Sequence, residues 1–337
     1  MKHTSLAAAL AAALFSAPLP AAAEELEPIR IIQSTSSAAF MPYLTALTMG
    51  YFEEAGLEPE LITTSSGSKV AAAVAGGSAD VGMTAASTSL FLRNEGVDIR
   101  LLAPLATQYT TGIVFSEKWA ADHGITRESP LENKLAALKG ARLATPGGSA
   151  GEHILRYLAI KAGLDADREM VIVPMGSDIG TYQTALEQGQ IDGISLSAPS
   201  PDLAVRNLNA VYAFNLPMGE VKELDGFLYT VAMTNGAWVD SNPEAAAKVV
   251  KAIEMATSAM HDDATSAQVR DKVRERYFDT IEPDLFADIW EQARVYAPKQ
   301  MQIERADVEK VIEFTNLFSG DTQLDPGIIE GSYYTAP

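Results

Sequence analysis

Gly77-Ser78-Ala79-Asp80-Val81-Gly82 and Gly189-Gln190-Ile191-Asp192-Gly193-Ile194 lie 112 residues apart and share one pattern. At the same offset Ser65 meets Ser177, Ala73 meets Ala185, Ala86 meets Ala198 and Ser87 meets Pro199. Upstream, Ala55-Gly56-Leu57 echoes Ala162-Gly163-Leu164. An offset that holds over several landmarks points to a duplicated unit.

Each copy reads as strand, polar loop and helix, three times over. In the first, Ile29–Gln33, Glu58–Thr63 and Ala79–Thr84 are apolar strand runs. In the second, Ala141–Thr145, Met170–Pro174 and Ile191–Ser195 take those places. Ile99–Leu105 and Thr111–Phe115 are further strands. Phe40, Tyr43, Leu44, Leu47, Tyr51 and Phe52 recur at helical spacing, which predicts one helix over Ala39–Ala55. Ser87–Asn94 and Ala150–Ala162 read as helices too. The alternation predicts α/β architecture with mostly parallel sheets flanked by helices, one sheet per copy. After residue 226 the pattern changes. Asn242-Pro243-Glu244 caps a long helix, with Ala246, Val249, Val250, Ile253, Ala256 and Met260 facing inward, and helices follow near 266–276, 284–295 and 304–318.

Composition narrows the function. The chain has 337 residues, 44 acidic and 25 basic, for a net charge of −19. That balance argues against nucleic acid, which needs a basic face, and against anionic lipid headgroups. There is no cysteine, which excludes disulfides, thiolate metal sites and thiol nucleophiles. Met1-Lys2-His3, the apolar run Leu6–Phe15 and Ala21-Ala22-Ala23 read as an export signal cleaved after about Ala23. Without a cysteine no lipid anchor on that residue is expected, so the expected compartment is the periplasm.

In open α/β sheets ligands bind beyond the carboxyl ends of the strands. Here those ends are small and polar: Ser34–Ala38, Ser65–Ser68, Thr84–Thr88, Gly147–Gly151, Gly176–Asp178 and Ser195–Pro199. Several open helices, whose free N–H groups and dipole attract anions. Ordinary helix capping wants the same residues, but six such loops converging on one place suggest a ligand. Glycines in 147–151 permit close backbone approach, which makes it the best single loop. Lys69 opens a helix and reads as a solvated face, Asp80 and Asp192 as turn residues at strand starts. Tyr109, Phe115, Tyr182, Phe227 and Tyr229 could line a cleft or fill the core.

No H-E-x-x-H, G-x-G-x-x-G or phosphate-loop pattern occurs. No cofactor or metal is expected. Gly147-Gly148-Ser149-Ala150-Gly151 does match the G-x-S-x-G of serine hydrolases. That reading makes Ser149 a nucleophile, yet only His153 and His261 follow it, both on predicted helices. It stands as the enzyme alternative to a non-catalytic chain.

The two glycine–aspartate segments resemble those of ABC-transporter substrate-binding proteins. The likeness is narrower to the nitrate/sulfonate/taurine group, which also holds thiamine-precursor and pyrimidine binders. Met49-Gly50-Tyr51-Phe52-Glu53-Glu54-Ala55-Gly56-Leu57, the Gly147–His153 segment and Asn242-Pro243-Glu244 carry the same resemblance, which covers nearly all of residues 28–320. It implies a two-lobe, type II binding-protein fold with a ligand cleft between the lobes. Residues 1–23 would be the signal, 24–118 with 225–337 one lobe, and 119–224 the other. Ligand would close the lobes by a hinge, and the monomeric closed form would dock on a membrane permease driven by an ATPase; a sensor kinase as receptor fits the same sequence. Carried over by position, Ser36, Ala38, Ser66, Ala86, Ser149 and Ala198 would touch ligand, and their loops add Ser87, Gly148, Ala150, Ser177 and Ser197. A related enzyme branch that makes the thiamine pyrimidine carries a cysteine-rich motif, which this chain lacks. A sulfonate ligand would call for a cleft arginine, but Arg93, Arg142 and Arg156 fall on helix or strand bodies. A small carboxylate or oxyanion on helix N-termini and an aromatic heterocycle among tyrosines both remain open.

Overall fold

The structure is a computed structural model that describes residues 26–34, 36–64, 66–176, 178–320 and 322–335. The expected export signal and Ser177 lie outside the described residues. Among the described residues ten strands form two five-stranded sheets. In chain order they are β1 (Glu27–Gln33), β2 (Leu57–Thr63), β3 (Val81–Ala85), β4 (Ile99–Ala106) and β5 (Thr111–Phe115), then β6 (Arg142–Thr145), β7 (Val171–Pro174), β8 (Gly193–Ser197), β9 (Val211–Asn215) and β10 (Thr230–Asn235).

The sheet orders are β2-β1-β3-β10-β4 and β7-β6-β8-β5-β9. These are one topology used twice. β1 runs parallel to β2 and β3, as β6 does to β7 and β8. The fourth position in each sheet is antiparallel to both neighbours. That strand is donated across the divide: β10 returns to the first sheet after the second is complete, and β5 enters the second straight after β4. The chain therefore crosses between sheets at 107–110 and again at 216–229. The division expected at residue 118 falls too late. Thr111–Phe115, expected with the first lobe, hydrogen-bonds to β8 and β9 of the second.

Local chemistry explains the element ends. The single helix expected over Ala39–Ala55 is broken in two, Met41–Met49 and Tyr51–Glu54. Gly50 takes φ +74° at the break, a left-handed turn that favours glycine. The apolar spacing runs on unbroken because both pieces bury the same face, with Tyr43, Leu44 and Phe52 fully covered. The long helix Pro243–His261 starts on its proline as expected and buries Ala246, Val249, Ile253, Ala256 and Met260, with Val250 half-buried. Three more helices, Ser266–Tyr277, Pro283–Tyr296 and Arg305–Asn316, complete the C-terminal part.

One apolar core runs from the first sheet through the crossings to the helix Ala150–Lys161. A smaller one fills the far face of the second sheet around Tyr182, Ile194 and Tyr212. Phe115 and Tyr182 belong to these cores and are fully buried. Tyr109, in the first crossing, packs on the second, 4.4 Å from the Tyr229 ring and 5.4 Å from Phe227, and lies 5.6 Å from Phe314, by ring centroids. No helix among the described residues is long and apolar enough to cross a membrane.

Candidate functional site

The carboxyl ends of both sheets face one cleft of about 290 Å³. Its walls come from each half of the duplication. Ser34, Ser36 and Ser37 follow β1, Thr84 and Ala85 end β3, and Thr88 follows it. Thr145 ends β6, Pro146 to Gly151 follow it, and Ser195 to Ser200 span the end of β8. Ser66, Gly67 and Ser68 open the helix Gly67–Ala75. Thr111, Tyr229 and Thr230 form the floor, where the crossing strands begin. Among the described residues that line it there is no lysine, arginine, histidine, aspartate or glutamate.

What the cleft offers is helix N-termini and hydroxyls. The helices Gly67–Ala75, Ala86–Asn94, Ala150–Lys161, Ile179–Glu187 and Ser200–Leu208 all begin at its wall. The first amides of a helix have no intrahelical acceptor, and the dipole adds partial positive charge. Ser66 Oγ accepts from the Lys69 amide at 3.4 Å and Ser149 Oγ from the Glu152 amide at 3.4 Å. Both serines are therefore true caps as well as cleft residues. Gly148 is less free than its type suggests, because its amide donates to Glu152 Oε2 at 2.8 Å. Gly151 serves packing. A Cβ there would collide with Thr145 Oγ1 and the Ser195 carbonyl, so only glycine lets this helix start against two strand ends. Ser195 Oγ and Tyr109 OH then donate to the Gly151 and Ala150 carbonyls, at 2.9 Å and 2.6 Å.

The two sides touch. The Ala38 amide donates to the Ala198 carbonyl at 3.2 Å. On the floor, Thr111 Oγ1 and Tyr229 OH are 3.1 Å apart, and Thr110 Oγ1 and Ser197 Oγ 2.9 Å. Burial pushes the Tyr229 hydroxyl above the usual phenol range, so it stays a neutral donor.

Of the residues singled out in the sequence, Ser36, Ser66, Gly148, Ser149, Ala150, Ser197 and Ala198 line the cleft. Ala38, Ala86 and Ser87 do not. Ala38 is buried, with its amide used on Ala198 and its carbonyl accepting from Tyr296 OH at 2.6 Å. The Ala86 amide is spent on the Tyr229 carbonyl at 2.9 Å. That bond fixes the helix so that Thr88, not Ser87, faces the cleft. Of the five aromatics only Tyr229 lines it. Thr111, Phe40 and Ile179 were missed. Thr111 carries no local signal, since its place depends on the second sheet's register.

The arginines behave as expected. Arg93 bonds the Ile328 carbonyl and Asp98, Arg142 bonds Asp192, and Arg156 bonds Glu152 and Asp167. No hydrolase triad forms. Among the described residues no histidine hydrogen-bonds Ser149; His153 lies 5.0 Å from the Phe318 ring by centroids, and His261 Nε2 meets the Ala297 carbonyl at 3.2 Å.

A family model described as NMT1/THI5 like matches residues 37–267. YtlA of Bacillus subtilis is 21% identical over 288 residues, spanning 84% of this chain and 81% of that protein. Among solved structures, the alkanesulfonate-binding protein SsuA of Xanthomonas axonopodis pv. citri, bound to MOPS, is 17% identical with a TM-score of 0.72, covering 93% of this chain and 99% of its own. The periplasmic nitrate-binding protein NrtA of Synechocystis PCC 6803 is 15% identical with a TM-score of 0.69, covering 92% and 86%. The fold is that of the periplasmic binding proteins.

Proposed function

Because the chain belongs to the NMT1/THI5-like family, we propose that it is the extracytoplasmic solute-binding component of an ABC importer. It captures a small anion between its lobes and presents the closed form to a membrane permease driven by an ATPase. The observation that carries this reading is a cleft lined by hydroxyls and five helix N-termini, with no charged side chain among its described lining residues. Such a site stabilises negative charge by oriented amides rather than by a countercharge. The neighbours named for sulfonate and nitrate binding support the same ligand class. No catalytic group is needed, and the Ser149 hydroxyl is engaged as a cap. The lobes divide at the two crossings, which act as the hinge, and the exported chain works in the periplasm as a monomer.

A heterocycle of the thiamine-precursor kind is the second reading, favoured by Phe40 and Tyr229 in the wall. Thermal melting against nitrate, short sulfonates, carboxylates and pyrimidines separates the two. A ligand at 100 times its Kd stabilises by about 2.7 kcal/mol, which at this size raises Tm by several degrees. The anion reading expects a shift with an anion and none with its neutral amide or alcohol analogue. A shift with pyrimidines alone would replace it.

A further inference from the structure

A second cavity lies behind the cleft, where the second sheet meets the helix Pro283–Tyr296. Its volume is about 650 Å³. Its floor is Asp202, 5% exposed. Asp202 Oδ1 accepts from Tyr212 OH at 2.8 Å and from Gln292 Nε2 at 3.4 Å, while Oδ2 has no hydrogen-bond partner. Asn215 Oδ1, also in the lining, is likewise unpartnered. Val205, Leu285 and the exposed Met218 and Val295 give the walls apolar stretches, while Asp288 and Glu291 join Asp202 against the guanidiniums of Arg127 and Arg206, leaving the lining net acidic.

We propose that this rear groove is a binding site for a small organic amine, its ammonium on Asp202 and its apolar part along Leu285, Met218 and Val295. A buried carboxylate with an unused oxygen is costly until it meets a cation or a proton. The Gln292 contact is long for a hydrogen bond, and an ammonium replaces it with a shorter, charge-assisted one. A buried acid beside apolar side chains, in a lining of three carboxylates against two guanidiniums, suits an amine. Burial holds the Asp202 carboxyl above its usual range, and a neutral amine that takes the proton from it becomes the ammonium paired with the carboxylate left behind. No group of three or more acidic or histidine side chains suited to a metal ion occurs among the described residues, and the apolar side chains of Leu285, Met218 and Val295 favour an organic cation over a bare one.

The groove is joined to the cleft through both of its walls. The helix Ser200–Leu208 carries Asp202 in the groove and begins at Pro199 and Ser200 in the cleft. The helix Pro283–Tyr296 carries Leu285 and Val295, and its Tyr296 hydroxyl holds the Ala38 carbonyl. An amine would thus tie the second sheet to the first lobe's helix on the face opposite the cleft.

The test is a calorimetric titration of the full chain with n-butylamine and with 1-butanol at one ionic strength. One amine site per chain is expected, with at least tenfold weaker binding in Asp202→Asn and no binding of butanol. Met218→Arg puts a cation on the exposed rim without touching the core and is expected to weaken the amine at least tenfold as well. It keeps the test decisive should Asp202→Asn fail to fold. Equal binding of butanol, no amine binding, or an amine affinity within twofold of wild type in Met218→Arg or in folded Asp202→Asn would overturn the proposal. Failure here leaves the cleft reading untouched, since the titrant carries no negative charge.

Discussion

Arg142 and Asp192, fifty residues apart, are joined by three hydrogen bonds: the Arg142 amide to Oδ2 at 2.9 Å, Nε to Oδ2 at 2.9 Å and a terminal nitrogen to Oδ1 at 2.7 Å. Arg30 and Asp80 repeat all three in the other lobe, at 2.8, 3.1 and 2.6 Å, across the same fifty residues. Asp80, Asp192 and Arg142 stand at the amino ends of their strands and Arg30 midway along β1, away from the carboxyl ends that form the cleft. Burial raises the Asp192 carboxyl, but its bonds to Arg142 outweigh that and hold it below the usual carboxylate range. Each pair pins the first strand of its unit to the turn before the third.

Asp192→Ala and Asp80→Ala each remove a carboxylate that is 14% or 12% exposed from an arginine that is 41% exposed. Solvent screening of the arginine trims the cost, and each substitution is expected to lower stability by about 1–2 kcal/mol. The pairs lie in different sheets, so the double variant is expected to be additive. Urea unfolding measures both, with ligand affinity nearly unchanged because neither pair touches the cleft.

Gly151→Ala and Ser149→Ala separate packing from capping in one loop. The alanine methyl at 151 meets a backbone carbonyl that cannot step aside, for a cost near 3 kcal/mol, the upper end of overpacking. Ligand binding is expected to vanish with it. Ser149→Ala loses a cap, worth about 1 kcal/mol, and weakens binding without abolishing it. Denaturation curves and ligand titrations on the two variants check the order.

The six polar strand ends, the duplication and the long C-terminal helix were legible because each is local: a run of small residues, a repeated spacing, a proline at a helix start. The 112-residue offset even extends to Arg30 and Arg142, unnoticed because a lone arginine in a strand carries no pattern until its aspartate is seen beside it. What stayed hidden depends on contacts between distant segments. Nothing near Thr111 says that its strand will pair in the second sheet. Nothing in Ala86-Ser87-Thr88 says which residue will face the cleft, because the Tyr229 carbonyl decides it from 143 residues away in sequence. The break at Gly50 was masked by apolar spacing that continues through it.

Thr88→Asp places a carboxylate in the cleft at the first turn of the helix Ala86–Asn94. There it suits the helix dipole, so stability is expected to hold or rise slightly. An anionic ligand is expected to bind at least tenfold more weakly, because the new charge takes the field of the same amides. Paired melting and titration experiments show whether binding falls while Tm does not.

Burial lowers the His153 imidazole below its usual range. The unfolded chain then takes up a proton at a higher pH, near the ordinary value of about 6.5. The stability is present above that value and is lost as pH falls below it. Replacing the ring by His153→Gln is expected to flatten the difference between urea midpoints at about pH 7.5 and about pH 5.5.

The most direct test of the central claim is small-angle X-ray scattering of the chain with and without the anion that gives the largest melting shift. Hinge closure on ligand predicts a smaller radius of gyration at saturation, and the same value as the free chain in Thr88→Asp at that ligand concentration. An unchanged radius of gyration in the wild type, with ligand demonstrably bound, would contradict capture by closure of the two lobes.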